Sequence, residues 1–460
     1  MADAENFSRT VFADELGDPS RRSTAIFVLI CSVPMAATLL YGGVDSVSLG
    51  LLSIVTAVIL VLWLAESWAT GEFRFHTNAL QLPIIGLILL GAVQLLPLGD
   101  AGIAAGTLSA EPSAALTLDH FATRLFVARL VAYLIFFSAA LSFLPVADRA
   151  KKLVVAIVIF GSVIAFAGIL QRLADPEAIY GLRQPAQAIA FGPFINQHHF
   201  AAFMEMTAGL ALGLLFGRGL KRDRKPFLMI AAALMSIGLI FTGSRGGVIS
   251  FAGIIFFTVA ASYWLRRDKT KAGEPRSKPE RFALVVGLLA IALIVIGSVF
   301  YLGGGDSLLR GIGVQESYVD VSSGRIHFWS VALKIFAANP VLGAGLDSFG
   351  VAFTQFDTSS GLMRVEQAHN DYLQMLADGG IVGFACVAAF VLLLFRKGLK
   401  AISAQTDEFY RSTAIGALAG CFGIAIHSFF DFPLRTPSNA LFFLMLVALA
   451  TTAFVPAARR

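Results

Sequence analysis

Apolar runs of about 20 residues, the length a helix needs to cross roughly 30 Å of hydrocarbon, recur from Thr24 almost to the end of this 460-residue chain. Lipid offers a backbone no hydrogen-bond partner, so a chain of this kind must satisfy its amides internally, and continuous apolar runs do so as helices. We count about twelve, with cores near 24–41, 46–65, 79–98, 127–145, 152–170, 199–217, 226–243, 246–265, 282–302, 381–395, 412–430 and 438–456. Composition agrees, since 57% hydrophobic and 14% charged residues with a mean hydropathy of +0.76 exclude an ordinary soluble domain. The fold class expected is all-α, a polytopic membrane protein of about 12 transmembrane helices with one large helical loop.

A net charge of +5 could suggest nucleic acid, but the basic residues gather in alternate loops, such as GRGLKRDRK at 217–225 and RRDKTKAGEPRSKPER at 266–281, so no nucleic-acid partner is expected. That alternation sets the orientation, with both termini on the cytoplasmic side. Residues 1–22 are polar and lack the pattern of a cleavable signal, so they are expected to stay there as a tail. The organisation that follows is a tail at 1–22, nine spans in 23–302, an outer helical loop at 303–380, three spans in 381–456 and a second tail at 457–460. Cys31, Cys386 and Cys421 fall within apolar spans, where buried free thiols are expected.

Within the large loop, RIHFWSVALKIFAA predicts a helix from about Arg325 to Ala338, with Ser322 or Ser323 as its cap and Pro340 beyond its end. VEQAHNDYLQMLADGG predicts a second helix stopped by Gly379 and Gly380, with His369 sharing a stripe with Val365, Tyr372, Leu373 and Leu376.

Three residues stand out on the outer side. Arg245, in TGSRGGVIS, lies where one span ends and the next begins, beside unpaired helix amides that already carry positive potential. A cation there makes sense if an anion binds; the plain alternative is an arginine reaching for lipid phosphates. Arg325 repeats the arrangement at its own helix start, and together the two suit a doubly charged group such as a diphosphate, unless Arg325 pairs with Asp320 or Glu316. His369, in AHNDYLQ, is either a hydrogen-bonded structural histidine or a group that accepts a proton near neutral pH.

In GPFINQHHF, adjacent His198 and His199 diverge by about 100° on a helix and make a poor chelate, and no zinc signature is present, so no metal is expected. Arg172 and Arg183 flank that segment, while Asp431 and Arg435 close the last outer turn; they line the same cavity or anchor helix ends. Arg129 lies inside the fourth span, where a charge costs roughly 2.5–3.5 kcal/mol and needs a partner or a wet cavity.

Taken in order, GPFINQHHFAAF, TGSRGG, SGRIHFW with NPVLGAGLDSFG, and QAHNDYLQMLADGGIVG resemble the O-antigen ligase and polymerase superfamily of bacterial inner-membrane glycosyltransferases, over about residues 190–395. The resemblance implies a GT-C type helical enzyme of the inner membrane that moves a glycan from undecaprenyl diphosphate to an acceptor hydroxyl at the periplasmic face, with inversion and without metal or other cofactor. It implies catalytic roles for Arg245, Arg325 and His369; substrate contacts are expected around them from Arg172, Arg183, Asn196, His199, Gly246, Asn370, Asp371 and Arg435. Where the family often carries Asn-Arg-Asn before the histidine, this chain has Asn196, Gln197 and His198. The acceptor implied is a lipid A core for a ligase, the reading preferred, or another lipid-linked repeat for a polymerase. A polytopic permease is the alternative from another class.

Overall fold

The computed structural model describes residues 20–98, 115–269, 325–358 and 365–454, save 147, 176, 186, 187, 218 and 453. Among these the regular elements are helices: α1 (Arg21–Leu39), α2 (Ser46–Thr70), α3 (Gln81–Gln94), α4 (His120–Phe143), α5 (Arg149–Ala174), α6 (Gln197–Phe216), α7 (Lys225–Phe241), α8 (Arg245–Lys269), α9 (Arg325–Ala338), α10 (Phe349–Phe356), α11 (Asp371–Ala404), α12 (Glu408–His427) and α13 (Pro437–Thr451). Nine of the described helices are long and apolar enough to cross a membrane, and α3 and α13 are shorter apolar ones. The expected span at 282–302, the loop at 303–324 and residues 1–19 lie outside the described residues.

The bundle is built around α6, 89% of whose apolar window is buried. Its closest neighbour is α12. Gly209 and Gly213 on α6 face Gly416 and Gly420 on α12, so closely that a Cβ at Gly213 would lie 2.3 Å from the Gly416 Cα. Each helix thus carries two small residues four apart, the spacing that lets apolar helices touch backbone to backbone in lipid. Gly213→Leu is expected to destabilise the protein by about 1–3 kcal/mol through overpacking, seen as a lower unfolding temperature in detergent; unchanged thermal stability would contradict the tight apposition.

The described part of the large loop forms its own small core on one end of the bundle, where Val331 and Ile335 of α9 meet Phe349 and Phe353 of α10 and Ala377 of α11. The helix expected over 325–338 is present as α9. The second helix differs from expectation: it begins at Asp371, and it continues past Gly379 into the next span, with a break at Gly380 (φ 59°, ψ −159°). The start is displaced because Asn370 accepts the Tyr372 and Leu373 amides, both at 3.1 Å, and caps the helix there. His369 therefore lies outside the helix and shares no helical stripe.

The break is held by the glycine-rich segment after α9. Ala344 N–H donates to Ala377 O at 2.9 Å and Gly345 N–H to Asp378 O at 3.0 Å. Gly343 is left-handed (φ 74°), and a Cβ on it would sit 2.4 Å from the Asp378 backbone. Gln94, the last residue of α3, joins the clamp by donating to Asp378 O at 3.0 Å and accepting the Leu346 amide at 2.9 Å. The NPVLGAGLD stretch is thus a fitting that locks the loop onto the bundle. The three cysteines are free thiols, as expected; Cys421 is buried, whereas Cys31 and Cys386 are only partly so.

Candidate active site

The chain leaves α12 through FFDFP and turns into a short 3-10 segment, Pro433–Arg435, before α13. Asp431 N–H donates to His427 O at 3.0 Å, so the end of α12 fixes the turn. The Asp431 side chain points inward and is 2% exposed. His369 Nδ1 lies 3.2 Å from its Oδ1, and the Phe432 amide donates to the same oxygen at 2.9 Å. On the other side, His198 Nδ1 and Arg325 Nη2 each lie 3.9 Å from Oδ2. Burial alone would raise the carboxyl pKa; the His369 hydrogen bond and the neighbouring His198, His369 and His199 outweigh it and hold Asp431 well below the usual carboxylate range.

His369 reaches this carboxylate from a left-handed backbone (φ 51°), a conformation uncommon outside glycine and found where surrounding structure imposes it. The imposing contacts are on both sides. Trp329 Nε1 donates to Ala368 O at 3.0 Å and Gln374 Oε1 accepts the Ala368 amide at 2.9 Å, while Asn370 caps α11 immediately after. The imidazole packs between Phe328 and Phe432, at ring-centroid distances of 6.2 and 4.9 Å. An ionised carboxylate can only accept, so Nδ1 carries the proton toward Asp431 and Nε2 is left as the basic nitrogen.

Arg245 is the first residue of α8, and it is exposed, with no ion pair among the described residues. Ser244 caps the helix by accepting the Gly247 amide at 3.1 Å, and its Oγ lies 2.8 Å from His198 Nδ1. Through His198 the start of α8 is tied to Asp431. Gly246 lets it seat closely, since a Cβ there would lie 2.8 Å from Phe430 Cβ and 3.2 Å from His427 Cδ2. Arg325 opens α9, and its side chain is 27% exposed. Its partner is Asp431; Asp320 and Glu316 lie outside the described residues. The start of α9 and His369 therefore meet one buried carboxylate, and the start of α8 is linked to it through Ser244 and His198.

Other expected site residues stand around this centre or apart from it. Asn196 caps α6, accepting the His198 amide at 2.8 Å. His199 is buried, bonded to Thr436 Oγ1 at 2.7 Å and against the Phe432 ring at 5.0 Å. Arg435 faces three carboxylates: it bonds Asp347, meets Asp378 at 3.1 Å and approaches Asp371 at 3.7 Å. Burial alone would depress the guanidinium, but these carboxylates raise its pKa and keep it charged. It braces the loop against α11. Asp371 also takes a hydrogen bond from Ser428 Oγ at 3.2 Å. Arg183 forms a two-bond pair with Asp45, at 2.6 and 3.0 Å, and stacks on Tyr41, while no ion pair joins Arg172 to the Asp431 group.

The sequence places Asp431 in the last outer turn, lining the cavity or anchoring a helix end, and the structure puts it at the centre of the group. Two arginines and a histidine expected on one face need an anion, and FFDFP supplies a carboxylate between aromatics at a span end. The residue that sequence reasoning missed is Glu205, an acid inside the apolar α6 span, whose Oε1 lies 2.7 Å from His427 Nδ1 beneath the site. Among the described residues no group of three or more His, Cys, Asp or Glu side chains is spaced to hold a metal ion.

Residues 230–388 match a family model described as O-antigen ligase. The match spans Arg245, Arg325 and His369 and ends before Asp431. No curated protein matches the chain.

Proposed function

We propose that this chain, of the O-antigen ligase superfamily through its domain over residues 230–388, transfers a glycan from undecaprenyl diphosphate to an acceptor sugar hydroxyl at the periplasmic face of the bacterial inner membrane. The observation that carries this reading is that Arg325 and His369 meet Asp431, while Ser244, the residue before Arg245, is bonded to His198 beside the same carboxylate. The arginines at the two helix starts hold the diphosphate, each charge-assisted contact adding to the positive ends of α8 and α9. His369 Nε2 takes the proton of the attacking hydroxyl. The bond from the anomeric carbon to the acceptor oxygen forms as its bond to phosphate breaks, with inversion, and the diphosphate leaves with the bonding pair. Guanidinium charge serves the leaving group, so no metal enters the scheme.

Basic residues concentrated in alternate loops support this orientation, with both termini cytoplasmic and the Asp431 end periplasmic. Partners are the lipid-linked glycan donor, a glycan acceptor and the surrounding lipids. Purified protein incubated with undecaprenyl diphosphate glycan and either a lipid A core or further donor tests the reading by product size. A single addition to core means a ligase, the preferred case, and a ladder means a polymerase. Substrate flux through proteoliposomes with no bond formed would reverse it in favour of a permease. Arg245→Ala is expected to cut transfer by about 10²-fold, the scale of losing one charge-stabilising donor, with membrane insertion intact; transfer at the parent rate contradicts the role.

A further inference from the structure

A chamber lies within the bundle, away from Arg245. It is a cavity of about 220 Å³ between α3, α4, α11, α12 and α13, lined by apolar side chains such as Leu87, Met375, Val387 and Phe443. Two polar groups on α4 enter it, Arg129 and Tyr133. They are four residues apart and so share a helix face. Tyr133 is 8% exposed, and neither its hydroxyl nor Arg129 Nε has a hydrogen-bond partner. Arg129 has no carboxylate partner among the described residues; its guanidinium lies 5.9 Å from the Phe126 ring, which Arg435 approaches at 5.8 Å. A lone cation in an apolar span is costly and is kept where it meets an anion.

The chamber and the start of α8 lie on opposite faces of α12. Cys421, Ile424, Ala425 and Ser428 line the chamber, whereas α8 packs on Phe422, Gly423, Ile426 and His427. At 100° per residue these sets point apart. At its upper end the chamber is lined by Asp371, Ser428 and Arg435, and Asp371 is two residues from His369.

Resting on the polymerase case of the function proposed above, we infer that this chamber is a binding site for a second phosphorylated single-chain lipid, the polyprenyl-linked acceptor glycan, with Arg129 and Tyr133 holding its phosphate. Its volume lies below the roughly 300–1,000 Å³ of drug-sized pockets, which suits a stretch of one hydrocarbon chain and not the several chains of a multiply acylated lipid. Donor and acceptor then approach His369 from the two sides of α12. The acceptor hydroxyl gives its proton to His369 Nε2 and on to water as its oxygen bonds the anomeric carbon, and the donor diphosphate departs with the bonding pair.

Photoreactive undecaprenyl diphosphate glycan, with labelled residues mapped on the full chain in proteoliposomes, tests this. Two labelled sets are expected, one beside Arg245 and one at Leu87, Met375 and Val387. R129Q and Y133F should each weaken the second set and raise the KM for lipid-linked acceptor about tenfold, the scale of one lost charged hydrogen bond, leaving the first set unchanged. L87W, which fills the chamber and keeps both polar groups, should do the same. Labelling beside Arg245 alone, equal labelling of the chamber by photoreactive phosphatidylglycerol, or a product with one addition to a lipid A core would each overturn the site while leaving glycosyl transfer standing. Labelling at neither place overturns both.

Discussion

His369→Ala is expected to slow glycan transfer by about 10²–10⁴, the contribution of a positioned general base, while the protein still folds and inserts. The imidazole is held by groups that survive its removal: Trp329 and Gln374 still bond the Ala368 backbone, and Asn370 still caps α11. Alanine, however, tolerates the left-handed φ of 51° poorly. His369→Asn separates the two effects, because asparagine is one of the few residues at ease there and carries no basic ring nitrogen. Both variants should lose transfer alike in single-turnover assays, with only the alanine variant showing any loss of unfolding temperature. An asparagine variant that transfers within a few-fold of the parent would show that His369 positions the loop and does not take the proton.

The membrane character and most span positions were legible because hydrophobic length is a one-dimensional property, written continuously in runs such as 149–174 and 245–263. The start of α9 was legible for the same reason, as its serine, arginine and proline punctuation is local. The placement of His369 was not. Its neighbours Val365, Tyr372 and Leu373 mimic a helical stripe, and only the Asn370 cap, with the tertiary bonds from Trp329 and Gln374, moves the helix start beyond it. Arg183 and Arg435 show the same limit in reverse. Both looked available for substrate, yet their partners Asp45 and Asp347 lie 138 and 88 residues away in sequence. Asp431 sits 62 residues from His369, and no spacing rule joins them. A demand for charge balance on one face does, and that demand is physical even when the pairing is not visible.

Asp431→Asn keeps the shape of the side chain and removes its charge, and it should reduce transfer by about 10²–10⁴, as far as loss of the base itself. The amide can present nitrogen or oxygen to His369 Nδ1, so the ring is no longer held with Nε2 free, and Arg325 loses the anion that sets its position at 3.9 Å. Stability offers an independent reading with a definite sign. The folded carboxyl titrates below its usual range, so its contribution is fully present above the unfolded value of about 3.9 and fades as pH falls through the lower folded value. The stability difference between parent and Asp431→Asn should therefore be constant from about pH 5 upward and shrink only in stronger acid. Thermal unfolding in detergent between pH 3 and 8 measures it. A difference that instead closes between pH 6 and 7 would mean that Asp431 is not a standing anion, and His369 would then lack the fixed partner on which its basicity at Nε2 depends.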